Sequence, residues 1–156
     1  MKVRTGLGGA VFAGLLHVAT PATAAECAGK PSAHQLTVQV TGLSAAQGEV
    51  AVTLYPDDVR RFLAPRGKLA RLRVKATTPV TRACFWLPQP GVYAIAVYHD
   101  ANGDEDFNRT ATGMPAEGFG FSNDAPTRVG LPSFDKVRFR ARGGESSLPV
   151  KMRYGR

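Results

Sequence analysis

"LPQPGVYAIAVYHD", residues 87–100, decides the architecture of this chain. A proline-glycine pair marks a turn at Pro90 and Gly91, and from there Tyr93, Ile95 and Val97 recur at every second position. In an extended chain successive side chains point to opposite faces, so this alternation describes a half-buried strand. The same period extends in both directions. "QLTVQVTGL" (35–43) aligns Leu36, Val38 and Val40, and after the turn "SAAQG" the run "EVAVTLY" (49–55) aligns Val50, Val52 and Leu54, which reads as a hairpin. "ARLRVKA" (70–76), "VTRACFWL" (80–87), "KVRFRAR" (136–142) and "LPVKMRY" (148–154) bring the expected strands to seven. Only "YPDDVRRFLAPRGK" (55–68) breaks the pattern; Asp57 and Asp58 ahead of a basic segment suit one helical turn. Pro149 lacks a backbone donor, which places the last strand at a sheet edge or a bulge. With no room for crossover helices, the expected fold is an all-β, antiparallel two-layer β-sandwich.

The first 25 residues carry Lys2 and Arg4, an apolar run from Leu7 to Ala19, and small residues at Ala22 to Ala25, the three parts of a secretory signal. The run is short of the roughly 20 apolar residues of a membrane anchor. Glu26 beside Cys27 argues against lipid attachment, which needs a small residue there. The expected layout is therefore a signal peptide over 1–25 and one β-sandwich domain over 26–156, with no later transmembrane segment. Removing Lys2 and Arg4 lowers the formal net charge from +8 to +6. In an exported protein that balance favours anionic envelope polymers or lipids over nucleic acid as partners, or is a solvated surface. Oxidising conditions predict a disulfide between Cys27 and Cys84.

Beyond the strand at 91–100 the pattern gives way to a long loop over 99–124, in which Asp100, Asn102, Asp104, Asp106 and Asn108 occupy every second position. Alternate oxygen ligands on a tightly curled loop can converge on a hard cation such as calcium. The spacing follows the first half of an EF-hand loop and then leaves it, with Glu105 where glycine is wanted and Ala111 where a bidentate glutamate is wanted. That excludes an EF-hand but leaves two readings: a calcium site of another kind, or an acidic turn around Asn102-Gly103 whose side chains bond their own backbone. Arg109 is a candidate neutralising base. Glu117, amid Gly113, Gly118 and Gly120, can accept backbone N–H groups and hold an irregular segment together. Together with His99, Ser122 and Asn123, it is expected to organise the loop. Phe119, Phe121, Tyr98 and Trp86 are read as core or, alternatively, as an aromatic ligand platform.

Catalytic patterns are weak. Ser122 stands outside a nucleophile elbow, and Asp100 follows His99 directly, which points the two side chains apart on a strand. His34, His99, Cys84 and Met114 do not cluster as blue-copper ligands would. Two basic stripes, Arg71/Arg73/Lys75 and Arg138/Arg140/Arg142, would form a continuous positive patch only if their strands were neighbours. "NRT" at Asn108 matches a glycosylation sequon, from which nothing is taken.

Four strings, "GEVAVTLY" (48–55), "FWLPQPGVYAIAVYHDANGDEDFN" (85–108), "GMPAEGFGFSNDAP" (113–126) and "PSFDKVRF" (132–139), resemble the bacterial secreted family known as domain of unknown function 2141. The resemblance runs from about residue 36 to the C-terminus. It implies an exported β-sandwich, immunoglobulin-like or transthyretin-like, with no assigned activity. The leading expectation is a non-enzymatic binding or structural module, periplasmic or secreted, with calcium as its candidate cofactor. An anionic envelope polymer or another envelope protein would be its partner. The alternative is a hydrolase using Asp100, Asp104 or Glu117 as general acid or base.

Overall fold

A computed structural model describes residues 27–127 and 130–155, so the expected signal peptide lies outside the described residues. Among the described residues, eight strands form two facing sheets. β1 (His34–Thr41) lies between β4 (Val80–Trp86) and β8 (Gly144–Lys151) in the smaller sheet. The larger sheet runs β3 (Ala70–Lys75), β2 (Glu49–Pro56), β5 (Gly91–Asp100), β6 (Gly118–Phe121), with β7 (Phe139–Ala141) beside the start of β5. The inward rows read from the alternation, Leu36/Val38/Val40, Val50/Val52/Leu54 and Tyr93/Ile95/Val97, are all buried and share one core. At roughly 1.5–3 kcal/mol for each fully buried aliphatic side chain, those rows hold the sheets together.

The larger sheet is apolar on both faces, which strict in-and-out alternation does not anticipate. Ala51, Thr53 and Tyr55 of β2 and Ala94 of β5 are buried on its outer side. A second cluster covers one end of this face: Tyr55, Ala94, Phe121 and Ala125 with Phe134 and Val137 of a one-turn helix, α1 (Phe134–Val137), and Phe62 of the 57–69 connector. The connector does turn once, the N–H groups of Arg61 and Phe62 both donating to the Asp58 carbonyl at 3.0 and 3.2 Å.

Three features differ from the sequence expectation. The run "KVRFRAR" divides between α1 and the three-residue β7, because the Ser122 hydroxyl donates to the Val137 carbonyl and the Asn123 amide donates to those of Lys136 and Arg138 at 3.1 and 2.7 Å. "GFGF" at 118–121 is a strand, which raises the count from seven to eight. β8 pairs parallel to β1 from His34↔Gly144 to Thr41↔Lys151, whereas the other paired strands are antiparallel. A parallel pair needs a long crossover, and the chain between the two strands supplies it. Pro149 sits on this edge strand, as its missing donor requires. After β8 the chain crosses to the other sheet, where Phe119 and Arg153 exchange N–H···O bonds of 2.8 and 2.9 Å. At the opposite end of the chain, Cys27 and Cys84 form the expected disulfide, and Ala28 bonds to Cys84 and Trp86 of β4.

Candidate functional site

Asp100 ends β5 with its side chain wholly buried on the outer side of the larger sheet. It is held from three directions. Gly103 N–H donates to Oδ1 at 2.7 Å, Glu105 N–H donates to Oδ2 at 2.9 Å, and the Arg73 guanidinium donates to Oδ2 at 2.8 Å. A carboxylate without exposure needs such partners, because an uncompensated buried charge is costly. Arg73 also donates to the Tyr98 hydroxyl at 2.6 Å, and that hydroxyl donates to the Glu105 carbonyl at 2.9 Å. The base that neutralises the loop is therefore Arg73. Arg109, the candidate from the sequence, donates to the Gly113 carbonyl instead and lies over the Phe107 ring.

The backbone then curls so that alternate side chains return inward. Asn102 Oδ1 accepts from Asp104 N–H at 3.4 Å, and Asp104 Oδ1 accepts from Asp106 N–H at 2.9 Å. Gly103 and Glu105 take positive φ, +73° and +66°. Glu105 thus adopts the left-handed geometry usually supplied by glycine at the sixth position of a calcium loop. The amides of Asn102 and Asn108 donate to Asp104 Oδ2 at 2.8 and 2.9 Å. These bonds, that from Asn108 foremost, hold the Asp104 carboxyl below its ordinary range.

Glu117 arrives from the far side of the loop and is 8% exposed. Its Oε2 accepts the Asn108 N–H at 3.1 Å. Burial pushes its carboxyl above the ordinary value; the Asn108 bond opposes that shift, and the charges of Asp100 and Asp104 add to it. Asp100, Asp104 and Glu117 each place a ligand oxygen within 4.8 Å of the others. Asn102 and Asn108 border this cluster, whereas Asp106 is exposed and its carboxylate stands outside it.

The remaining loop residues fasten the segment to the frame. His99 faces the core: Nε2 bonds the Gln47 carbonyl at 2.7 Å, which only accepts, so Nε2 carries the proton and Nδ1 accepts from the Tyr154 hydroxyl at 2.7 Å. His99 therefore ties the β1–β2 turn to the C-terminal tail, not the acidic turn. A Cβ on Gly118 would lie 2.3 Å from the Tyr154 ring, and one on Gly120 would lie 2.8 Å from the Lys151 carbonyl. The glycines of β6 are the space through which the tail passes. Ser122 Oγ, fully buried, accepts from Ile95 N–H at 3.0 Å, and Asp124 Oδ1 accepts from Lys151 N–H at 2.8 Å.

Of the proposed aromatic platform, Tyr98, Phe119 and Phe121 do come together, joined by Phe107 in edge-on contacts of 5.6 to 6.1 Å. Trp86 belongs to β4 in the other sheet. The basic stripes are not neighbours: β3 and β7 flank opposite sides of the β2–β5 pair, and Arg138 precedes β7 and pairs with Asp57 at 2.8 Å. They make no continuous patch. A shallow groove on the outer face is lined by residues including Thr53, Tyr55, Ala96, Tyr98, Phe107 and Phe121, and the cluster carboxylates do not line it. Among the described residues, no helix is long and apolar enough to cross a membrane.

No curated protein and no solved structure matches the chain significantly. Residues 38–148 match the model of a bacterial family, a span that takes in both sheets, the acidic cluster and the "GFGFSND" segment. The chain belongs to the family described as "Uncharacterized protein conserved in bacteria (DUF2141)".

Proposed function

We propose that the protein is an exported, non-enzymatic β-sandwich module of the cell envelope whose 99–124 segment is ordered by a divalent cation, calcium by chemistry, and serves as its binding surface. The observation that carries this reading is the convergence of Asp100, Asp104 and Glu117 within 4.8 Å. Calcium takes six to eight hard oxygen ligands, and Asn102 and Asn108 border the cluster, where their amides now donate to Asp104 Oδ2 and would have to turn over to offer oxygens to a cation. Asp100, Asn102 and Asp104 stand at the first, third and fifth positions of a calcium loop, Glu105 has the backbone of the sixth, and Glu117 replaces the glutamate missing at Ala111. Arg73 balances one of three converging charges. The disulfide supports an oxidising compartment.

The hydrolase alternative draws support from the opposed shifts of Asp104 and Glu117. Against it, Asp100 and Asp104 have their oxygens engaged by the loop itself, and the cluster carboxylates do not line the outer-face groove that could admit a substrate. Thermal unfolding in calcium, magnesium and chelator is the test. Calcium at 100 times its dissociation constant should stabilise the fold by about 2.7 kcal/mol, an effect that Glu117→Gln removes. Identical unfolding in all three solutions eliminates the cation.

A further inference from the structure

On the outer face of the larger sheet, strand register lines up one row across four strands: Arg71, Thr53, Ala96 and Phe121. The row begins with a guanidinium, passes over two small side chains and ends at a phenyl ring. The next row carries Tyr98 paired with Phe119, and Phe107 of the loop packs edge-on against both at 5.6 and 5.9 Å. Small residues flanked by aromatic walls leave a depression of about 140 Å³. That is the scale of cavity that holds a single benzene-sized ring.

Arg71 and Arg109 both line the depression, and among the described residues neither forms an ion pair. Arg71 Nε donates to Thr53 Oγ1 at 2.9 Å, which fixes the guanidinium at the end of the small-residue floor. Large apolar side chains also remain exposed at the rim, Leu63 at 37% and Leu131 at 59%. Exposed apolar residues gathered around a small-residue floor with aromatic walls have the pattern of a binding site and not of a plain solvent face.

We propose that this depression binds a small amphipathic anion, a ring-sized apolar body bearing one carboxylate, with the ring on Ala96 against Phe119 and Phe121 and the carboxylate on Arg71. A planar guanidinium suits a carboxylate, and the aromatic walls suit the edge and face of a ring. No cluster carboxylate takes part in the site, but Phe107, Arg109, Phe119 and Phe121 belong to the 99–124 segment that the proposed cation orders, so binding is followed with and without calcium.

The probe is 3-phenylpropionate, titrated into isotopically labelled protein in calcium and, separately, in chelator while amide and methyl shifts are followed; the result in calcium decides, and a loss confined to chelator reports on the ordering of the segment. The expected result is saturable shifts centred on Thr53, Ala96 and Phe121, with the neutral alcohol 3-phenylpropanol binding about tenfold more weakly, as a lost charge-assisted hydrogen bond dictates. Arg71→Gln should bring the acid down to the affinity of the alcohol. Ala96→Leu should abolish binding of both by filling the floor. Equal affinity of acid and alcohol, shifts centred elsewhere, or no saturable shift would each overturn the assignment. The wild-type shift map decides the matter even where the Ala96 variant fails to fold.

Discussion

Arg73→Met isolates the charge at the heart of the loop. The substitution keeps most of the aliphatic stem and removes the one cation that, among the described residues, touches Asp100. Asp100 then retains two backbone donors, Gly103 N–H at 2.7 Å and Glu105 N–H at 2.9 Å, but no compensating charge, with its side chain at 0% exposure. Removing one partner of a buried pair costs about 3–5 kcal/mol. The two surviving donors and the 18% exposure of the Arg73 side chain place the expected loss at the lower end, about 3 kcal/mol. Urea unfolding followed to its midpoint, with the slope checked for constancy, measures it. Arg73→Met combined with Asp100→Asn should be more stable than Arg73→Met alone, because the orphaned charge has gone; a double-mutant cycle gives the coupling directly. A loss below about 1 kcal/mol, the range of an exposed ion pair, would refute the reasoning. Saturating calcium should shrink the Arg73→Met deficit, since a cation at the cluster supplies the missing positive charge.

Other perturbations test the surrounding architecture. Because the folded-state carboxyl of Glu117 is raised, its contribution to stability is fully present below the unfolded value of 4.5 and is lost as pH rises through the folded value. In chelator the wild type should therefore gain stability relative to Glu117→Gln as pH falls toward 4.5, which paired denaturation curves across that window will show. Ser122→Ala strands the buried Ile95 N–H and should cost about 1–3 kcal/mol, with faster amide exchange at Ile95 as the local signature. Gly118→Ala forces a methyl into the Tyr154 ring at 2.3 Å and should destabilise by about 1–3 kcal/mol in thermal unfolding.

The inward rows of β1, β2 and β5 were legible because burial on one side imposes a period of two, and no tertiary information is needed to see it. β6 was not, since "GFGF" is short and half glycine; its strand character comes from pairing with β5, and its glycines make room for Tyr154 and Lys151 at the end of the chain. "KVRFRAR" alternates well enough, but Ser122 and Asn123 capture its carbonyls and turn its first half into α1. Within the site, Asp100 and Asp104 could be grouped by spacing. Glu117 could be singled out only for its glycine-rich setting, and its approach to the other two arises from the return of the chain into β6. Arg73 looked like one member of a solvated stripe. The missing information was the register: Arg73 faces Ala51, which faces Tyr98, and the small alanine leaves the guanidinium room to cross β2 and reach Tyr98 and Asp100. No local pattern reports that path.

The pairing of β1 with β8 governs when this protein can finish folding. Hairpins such as β2–β3 need only neighbouring chain, but the His34↔Gly144 contact joins residues near opposite ends of the described chain, and the same terminal segment then stitches Phe119 to Arg153. A polypeptide delivered N-terminus first, whether from a ribosome or through a translocation pore, leaves one side of β1 bare until residues 144–154 emerge. Contacts of such long sequence separation form slowly. During that interval the exposed flank of β1 is a template for a neighbouring nascent chain, so the yield of native protein should fall as concentration rises during refolding.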